Sequence, residues 1–402
     1  MHWVGDSAYT LFMALALLLM LTAQGSDKPL LDQIGVKPTG RNGYEEFLQA
    51  GDVLARGMYD ELFQADQNLT HRREIQPSRG SVLAKQLFAG KNPLERRRLL
   101  VERFAEATRL LEAAAAKPIF DPRTQYDAST LFPQLRWIRF SAHHLVNVAH
   151  VQRASGNDRS SVETLMRGLL ILDSIQRGPM ICWLIGNVCQ LFLLEEMVAA
   201  LPELSLGAAT ALEQQAAALE ARTPSIVESL TAEYKFIEGS VNQLLGDRGD
   251  DFLDVFFDEK DKFAERFRAL DALGKGEVAE MALRQIRDIR RQREAWIAEG
   301  PKGWLSPPDP LPQPGGTPAS ELANQLTEGM LAEVKSVMPA AAFQVVKYRL
   351  LRVSGAVIRY RWEQGRLPST LVDVVGETLA RCPISDKPLL YQRHPEGGFT
   401  VK

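Results

Sequence analysis

The sequence predicts a mainly α fold of stacked antiparallel helical hairpins, irregular and TPR-like, with a small C-terminal α+β module ending in a β-hairpin. Long stretches of the 402 residues are rich in Ala, Leu, Glu, Arg and Gln, which lose little side-chain freedom in a helix. From residue 43 to residue 300, apolar side chains recur at three- and four-residue intervals, the period of an amphipathic helix. Short Gly, Asn and Asp turns separate these segments, although no copy repeats at the tetratricopeptide spacing of about 34 residues.

The overall composition argues against several classes of protein. With 45% hydrophobic and 24% charged residues, the sequence is typical of neither a disordered chain nor a polytopic membrane protein. A net charge of −3 argues against a general polyanion binder, so we expect no nucleic-acid partner. The three cysteines cannot all pair within one chain, and Cys182 and Cys189 are predicted to be small buried residues.

The N-terminal segment predicts export. Leu11–Ala23 is uncharged and shorter than the about 20 residues that span a bilayer, which fits the apolar core of a signal peptide. The "AQG" that ends at Gly25 resembles a small-x-small cleavage site, although no Lys or Arg precedes the apolar run. We therefore expect residues 1–25 to be a signal peptide or a membrane anchor. The predicted location is the periplasm or cell envelope, with anchoring to the inner membrane if the segment is not cleaved.

Residues 26–300 are predicted to form an all-helical domain. The apolar period predicts helices over 44–66, 94–116, 132–155, 159–177, 181–201, 208–222, 225–245 and 278–299. In the second of these, one stripe is formed by Leu100, Phe104, Ala107 and Leu111. We expect Asp158 to cap the fourth helix. The helix over 181–201 is apolar on most sides, so it is predicted to lie in the middle of the core.

The Pro-rich segment 301–317 is predicted to be a linker, because its prolines and glycines cannot sustain a helix or a central strand. Residues 318–402 are predicted to form a C-terminal module that begins with helices. The helix over 340–365 carries one apolar stripe of Phe343, Val346, Leu350, Val353, Val357 and Tyr360.

A corner is predicted where this helix ends. Gly365 suits the left-handed conformation that terminates a helix, Pro368 prevents continuation, and Ser369 is predicted to cap a short helix over 370–375. The corner brings Leu367, Leu371 and Val374 over the apolar stripe. Strands are predicted over Leu389–Gln392 and Phe399–Val401.

The C-terminal residues carry a resemblance. The sequence "RYRWEQGRLPSTLVDVV", with the following "CPISDKPLLYQ" and "GGFTV", resembles the C-terminal part of uncharacterised exported bacterial helical proteins. More distantly it is similar to the globular end of type II secretion pseudopilins. The matching residues are Tyr360, Gly365, Pro368, Leu371, Pro383, Asp386, Pro388 and Tyr391. The resemblance implies a tail shape and an association with the bacterial envelope. It implies no pilus subunit, calcium site or catalytic residue.

Histidines and carboxylates near the middle of the chain are candidates for chemistry. His143, His144 and His150 cluster, but no His-Glu-x-x-His pattern accompanies them, so buried or capping histidines are favoured over metal ligands. Glu195 and Glu196 follow the most apolar segment. Adjacent helical residues point about 100° apart, so the two carboxylates are not expected to share a proton.

Two charged segments are candidates for binding. The acidic segment over 247–261 lacks the spacing of an EF-hand, so a solvated acidic face is favoured over a calcium site. Arg284, Arg287 and Arg291 have near-helical spacing, with acidic residues nearby for local pairing. No Walker loop, Gly-x-Ser-x-Gly or Cys-x-x-Cys motif occurs. The sequence therefore predicts no catalytic, cofactor-binding or metal-binding residue.

These observations favour an exported or membrane-tethered bacterial protein that is a non-catalytic interaction or scaffold protein of the cell envelope. Its partners are expected to be proteins, and residues 11–23 are the segment expected to contact a membrane. The alternative is a hydrolase or small-ligand-binding protein with a pocket between helices near His143, His150 and Glu195. An enzyme is expected to bring His and carboxylate side chains to one point of a closed pocket, whereas a scaffold leaves an open surface.

Overall fold

The computed structural model describes residues 28–127, 130, 132–246, 253, 262–309, 315–331, 334–395 and 397–402. Within these ranges the chain is mainly α-helical, and one two-stranded antiparallel sheet lies near the C-terminus, which confirms the predicted mainly α class with a C-terminal β-hairpin. The helices are α1 Leu30–Gln33, α2 Gly43–Arg56, α3 Tyr59–Thr70, α4 Arg79–Leu87, α5 Pro93–Arg103, α6 Ala105–Ala115, α7 Leu135–Ala154, α8 Asp158–Ile175, α9 Met180–Ala200, α10 Leu206–Glu220, α11 Ser225–Gln243, α12 Lys262–Arg268, α13 Ala272–Ala298, α14 Pro318–Leu331, α15 Val334–Gln364 and α16 Val372–Leu379. The strands are β1 Tyr391–Arg393 and β2 Phe399–Val401, and 3-10 turns span Leu201–Glu203 and Gly303–Leu305.

Two segments predicted as single helices are each split. The segment 44–66 forms parts of α2 and α3, because the chain turns at Gly57 and at Met58, whose φ is 58°. A Cβ at Gly57 would lie 2.2 Å from the Phe104 ring, so only glycine allows this close approach. The segment 94–116 forms α5 and α6, which are separated at Phe104 itself. Both single-helix predictions are wrong. The apolar period continues across each break, but the helices end where Gly57 and Phe104 contact each other.

The largest core lies among α2, α6, α7, α8, α9 and α10. The stripe predicted on the second helix is fully buried there. Helix α9 packs against α7, α8 and α11, and Trp183 and Leu193 on it are fully buried, which confirms its central position. By length and composition alone, Met180–Glu203 would also suffice to cross a membrane, but half of its most apolar stretch is buried inside the protein, as in a core helix.

A second core joins residues on both sides of the Pro-rich segment. It includes Trp183 of α9, Ile286 of α13 and Leu326 of α14, together with the C-terminal Ile384. Within the Pro-rich segment itself, Trp304 is buried and its Nε1–H donates to the Ile297 carbonyl at 3.1 Å. The start of this segment is therefore anchored to the helical body by an aromatic side chain.

The predicted corner is present. Gly365 has a φ of 67° and ends α15. A small core over α15 contains Val353, Val357 and Leu371, with Leu367 and Val375 packed against it. Val375, the residue after the predicted Val374, thus covers part of the apolar stripe of α15.

The structure differs from the prediction for one residue of the apolar stripe and for two helix caps. Phe343, predicted on the buried stripe, is 47% exposed. The short helix is preceded by reciprocal bonds between Thr370 and Asp373, at 3.0 and 3.4 Å, so Ser369 is not its cap. Asp158 is the first residue of α8 and not its cap, and its carboxylate accepts from the Ser205 N–H at 2.6 Å.

A glycine allows two helices to approach closely. Helix α15 lies along α10, and a Cβ at Gly355 would lie 2.8 Å from the Glu213 nitrogen and 3.0 Å from the Ala209 carbonyl oxygen. Because these are backbone atoms, they cannot rotate away.

We expect Gly355→Ala to lower the free energy of unfolding by about 1–2 kcal/mol despite the higher helix propensity of Ala. The matched control is Gly276→Ala in α13, where no atom lies within 4 Å. It is expected to raise stability by about 0.5–1 kcal/mol. Urea unfolding measures both, and equal shifts of the same sign would contradict this account.

Candidate functional site

An open cleft of about 410 Å³ lies where the loop after α6 meets the C-terminal ends of α8 and α10. We call it the interaction cleft. Its lining residues are Ile119, Phe120, Asp121, Tyr126, Arg177, Gly178, Arg222, Thr223 and Glu228. Three separate connections of the chain thus form its walls, which brings together residues that are distant in the sequence.

One wall of the interaction cleft is ionic. The Asp173 carboxylate is almost fully buried. It accepts from Arg177 Nη2 at 3.0 Å and forms an ion pair with Arg222, whose Nε lies 3.0 Å away. Arg177 also pairs with Glu228 and donates from Nη2 to the Thr223 carbonyl at 2.7 Å. Burial raises the pKa of Asp173, and the two guanidinium groups act in the opposite direction by favouring the carboxylate. These bonds hold both arginines at the cleft in fixed orientations.

The loop after α6 contributes aromatic residues to the lining. Asp121 accepts from Arg123 Nη2 at 2.6 Å, and the Arg123 guanidinium lies 5.6 Å from the Tyr126 ring centroid and 5.0 Å from that of Phe132. This stack holds the loop against the body of the protein. Phe120 is 53% exposed although it belongs to the same ordered loop. A large apolar side chain is therefore presented to solvent at the edge of a polar cleft.

A titratable carboxylate, Glu233, lies at the start of α9. Two residues beyond Gly178, the Met180 N–H at the start of α9 donates to Glu233 Oε2 at 2.7 Å. Burial raises the pKa of Glu233 to about 7, although this hydrogen bond favours the charged form. Glu233 therefore satisfies one of the free N–H groups of the helix terminus while it changes its charge near neutral pH.

The candidate histidines have different environments. The His143 ring lies between those of Phe63 and Phe192, with both centroid distances 4.3 Å, and burial lowers its pKa to about 3. His144 is fully buried, its Nε2 lies 2.8 Å from Thr108 Oγ1, and burial lowers its pKa to about 4. Both rings are therefore neutral at physiological pH and act as packed core groups.

The third histidine, His150, pairs with Glu196, the residue next to Glu195. His150 Nδ1 lies 3.0 Å from Glu196 Oε1, and Arg153 Nη2 donates to the same oxygen at 3.0 Å. Glu195 is exposed. These bonds favour the carboxylate and lower the pKa of Glu196, although burial acts in the opposite direction. A hydrolase or small-ligand site near His143, His150 and Glu195 stays a prediction.

The remaining candidates are also accounted for. Cys182 and Cys189 are buried free thiols, as predicted. Arg284 and Arg291 pair with acids of their own helix, and Arg287 donates to a carbonyl one turn away. The acidic segment 247–261 lies outside the described residues except for Leu253, which is buried. Among the described residues, no three His, Cys, Asp or Glu side chains form a group that suits a metal ion.

Sequence reasoning missed the residues of the interaction cleft. A usable signal was present, because Asp173 and Arg177 stand four residues apart at the end of a strongly apolar helix. Arg222 had no such signal, since its partner lies in another helix. No family model, curated protein or solved structure matches the chain. The resemblance of residues 359–401 to exported helical proteins and pseudopilins stays a prediction.

Proposed function

We propose that the chain is a non-catalytic protein-interaction protein of the cell envelope, exported or tethered through residues 1–25, and that it binds its partner at the interaction cleft. The observation that carries the proposal is the exposure of Phe120 beside the ordered arginines of the cleft. Aromatic and arginine side chains are enriched at protein interfaces because they combine apolar area with directed hydrogen bonds.

The cleft suggests the chemistry of the partner. Ile119, Phe120 and Tyr126 offer apolar surface, and Arg177 and Arg222 contribute guanidinium groups to the same lining. The arginines are balanced by Asp173 and Glu228, so the cleft has little net charge to attract a free ion. A peptide segment fits better, with one apolar side chain against Phe120 and polar groups that face the ionic wall.

The test compares two exposed apolar residues. Phe120→Ser is expected to weaken partner binding roughly tenfold or more, because truncation of an aromatic anchor at an interface costs about 1–2 kcal/mol or more. Leu273→Ser is the matched control, since Leu273 is 83% exposed and lies outside the cleft. A photo-crosslinking amino acid placed at 120 or at 273 in cells identifies the neighbours. A discrete protein adduct is expected at 120 only.

Two results would contradict the proposal. The first is an identical adduct pattern at both positions, or none at 120, which would leave the cleft without a partner. The second concerns the location. Recovery of chains that begin at Met1 from the cytoplasmic fraction of a bacterial host would exclude export, whereas a mature N-terminus near Ser26 in the periplasm or intact chains in the membrane fraction would support it.

A further inference from the structure

A second cleft lies at the C-terminal corner, and basic side chains dominate its lining. It has a volume of about 570 Å³, and its walls are the end of α15 and the turn of the β-hairpin. Arg361, Arg366, Arg393 and His394 line it, and no acidic side chain does so among the described residues. We call it the basic cleft.

The walls of the basic cleft are held together by specific contacts. The Tyr391 hydroxyl donates to the Pro368 carbonyl at 3.2 Å, which joins the hairpin to the corner. Within the hairpin, His394 Nε2 lies 2.7 Å from Thr400 Oγ1, and the His394 N–H donates to the Gly398 carbonyl at 2.8 Å. The cationic groups of the two walls are thus carried on elements with fixed relative positions.

The arginines of the basic cleft differ from their neighbours. Arg359, two residues before Arg361, pairs with Glu213 at 2.7 Å and with Glu363 at 3.1 Å. Among the described residues, Arg361 has only a 3.4 Å bond to a carbonyl, and Arg366 and Arg393 pair with no carboxylate. The C-terminal end of α15 contributes about half a negative charge, which cannot balance three guanidinium groups.

We propose that the basic cleft binds a phosphate group. Guanidinium groups bind phosphate oxygens through paired, charge-assisted hydrogen bonds, and a phosphate carries enough oxygens and charge to engage several arginines at once. A single carboxylate matches one guanidinium and leaves the others unbalanced. The phosphate belongs to a free phosphoester or to an anionic lipid headgroup. This site is separate from the interaction cleft, so either one can exist without the other.

The test uses the full chain and two variants that lose the same charge. Arg366→Ser/Arg393→Ser removes two cations of the basic cleft, and Arg72→Ser/Arg73→Ser removes two exposed cations elsewhere. The probes are inorganic phosphate and glycerol phosphate, titrated by calorimetry, and sedimented vesicles of phosphatidylcholine with or without phosphatidylglycerol. We expect the cleft variant to lose affinity roughly tenfold or more, and the control to bind like the wild type. All chains carry residues 11–23, so any insertion of that segment cancels in the comparison.

The arms of the test distinguish the source of the phosphate. Binding of the soluble probes identifies a free phosphoester site, and binding restricted to vesicles with phosphatidylglycerol identifies a headgroup site. Equal binding by the cleft variant and the wild type, or saturable binding to neither type of probe, overturns the proposal. Glu396 follows the lining residue Pro395 in the sequence but is outside the described residues, and Glu396→Gln is therefore a further arm. If phosphate binds only to Glu396→Gln, the arginines are neutralised internally and the proposal fails.

Discussion

Asp173→Ala is expected to lower the free energy of unfolding by about 3 kcal/mol, because it leaves two guanidinium groups without their shared carboxylate. The Asp173 side chain is 3% exposed and forms ion pairs with Arg177 and Arg222, each at 3.0 Å. Removing one partner of a buried ion pair costs more than the pair contributes, since the remaining charge stays desolvated. Arg177 retains Glu228, so the loss is at the lower end of the range for buried pairs. Denaturant unfolding measures it.

The matched control removes Glu228, the other carboxylate that pairs with Arg177. Glu228 is 51% exposed, and we expect Glu228→Ala to cost less than about 1 kcal/mol because water screens the pair. If both variants lose the same stability, burial does not decide the strength of these bonds. A further readout is partner binding at the interaction cleft. Asp173→Ala is expected to weaken partner binding, since the carboxylate orients both arginines of the ionic wall.

Glu233→Gln is expected to remove a pH dependence of stability. Native Glu233 holds its proton up to about pH 7, whereas an unfolded glutamate loses it near its ordinary pKa of 4.5. The native state therefore binds more protons between these values, and the wild-type free energy of unfolding falls as the pH rises through this window. A full shift corresponds to about 1.4 kcal/mol for each pKa unit. Since part of the residue remains accessible to water, we expect a fall of about 2 kcal/mol.

The variant separates charge from hydrogen bonding. The Gln carbonyl at 233 still accepts from the Met180 N–H, so the cap of α9 is retained while the ionisation is lost. Glu233→Gln should therefore be the more stable protein at pH 8, and its advantage should disappear near pH 4. Glu195→Gln on the exposed face of α9 is the control and should follow the wild type at every pH. Parallel curves for Glu233→Gln and the wild type would show that burial does not raise the pKa of Glu233.

Local sequence signals predicted some elements well. The corner at Gly365 and Pro368 needs only the backbone properties of two residues, and the structure has it. Strand β2 matches its predicted bounds, and the central helix α9 is where its composition indicated. The breaks at Met58 and Phe104 were not predictable, because each depends on a contact between elements that the apolar period does not encode.

The sequence by itself determined the helical class of the protein, the central position of α9 and the C-terminal corner, since these follow from side-chain period, turn chemistry and composition within short windows. Only the tertiary structure decided which charged residues meet. It paired His150 with Glu196, added Arg222 to the local pair of Asp173 and Arg177, and brought Arg366 and Arg393 to the lining of one cleft. Such contacts join distant parts of the chain, and they depend on how the helices pack and on no local preference of the residues themselves.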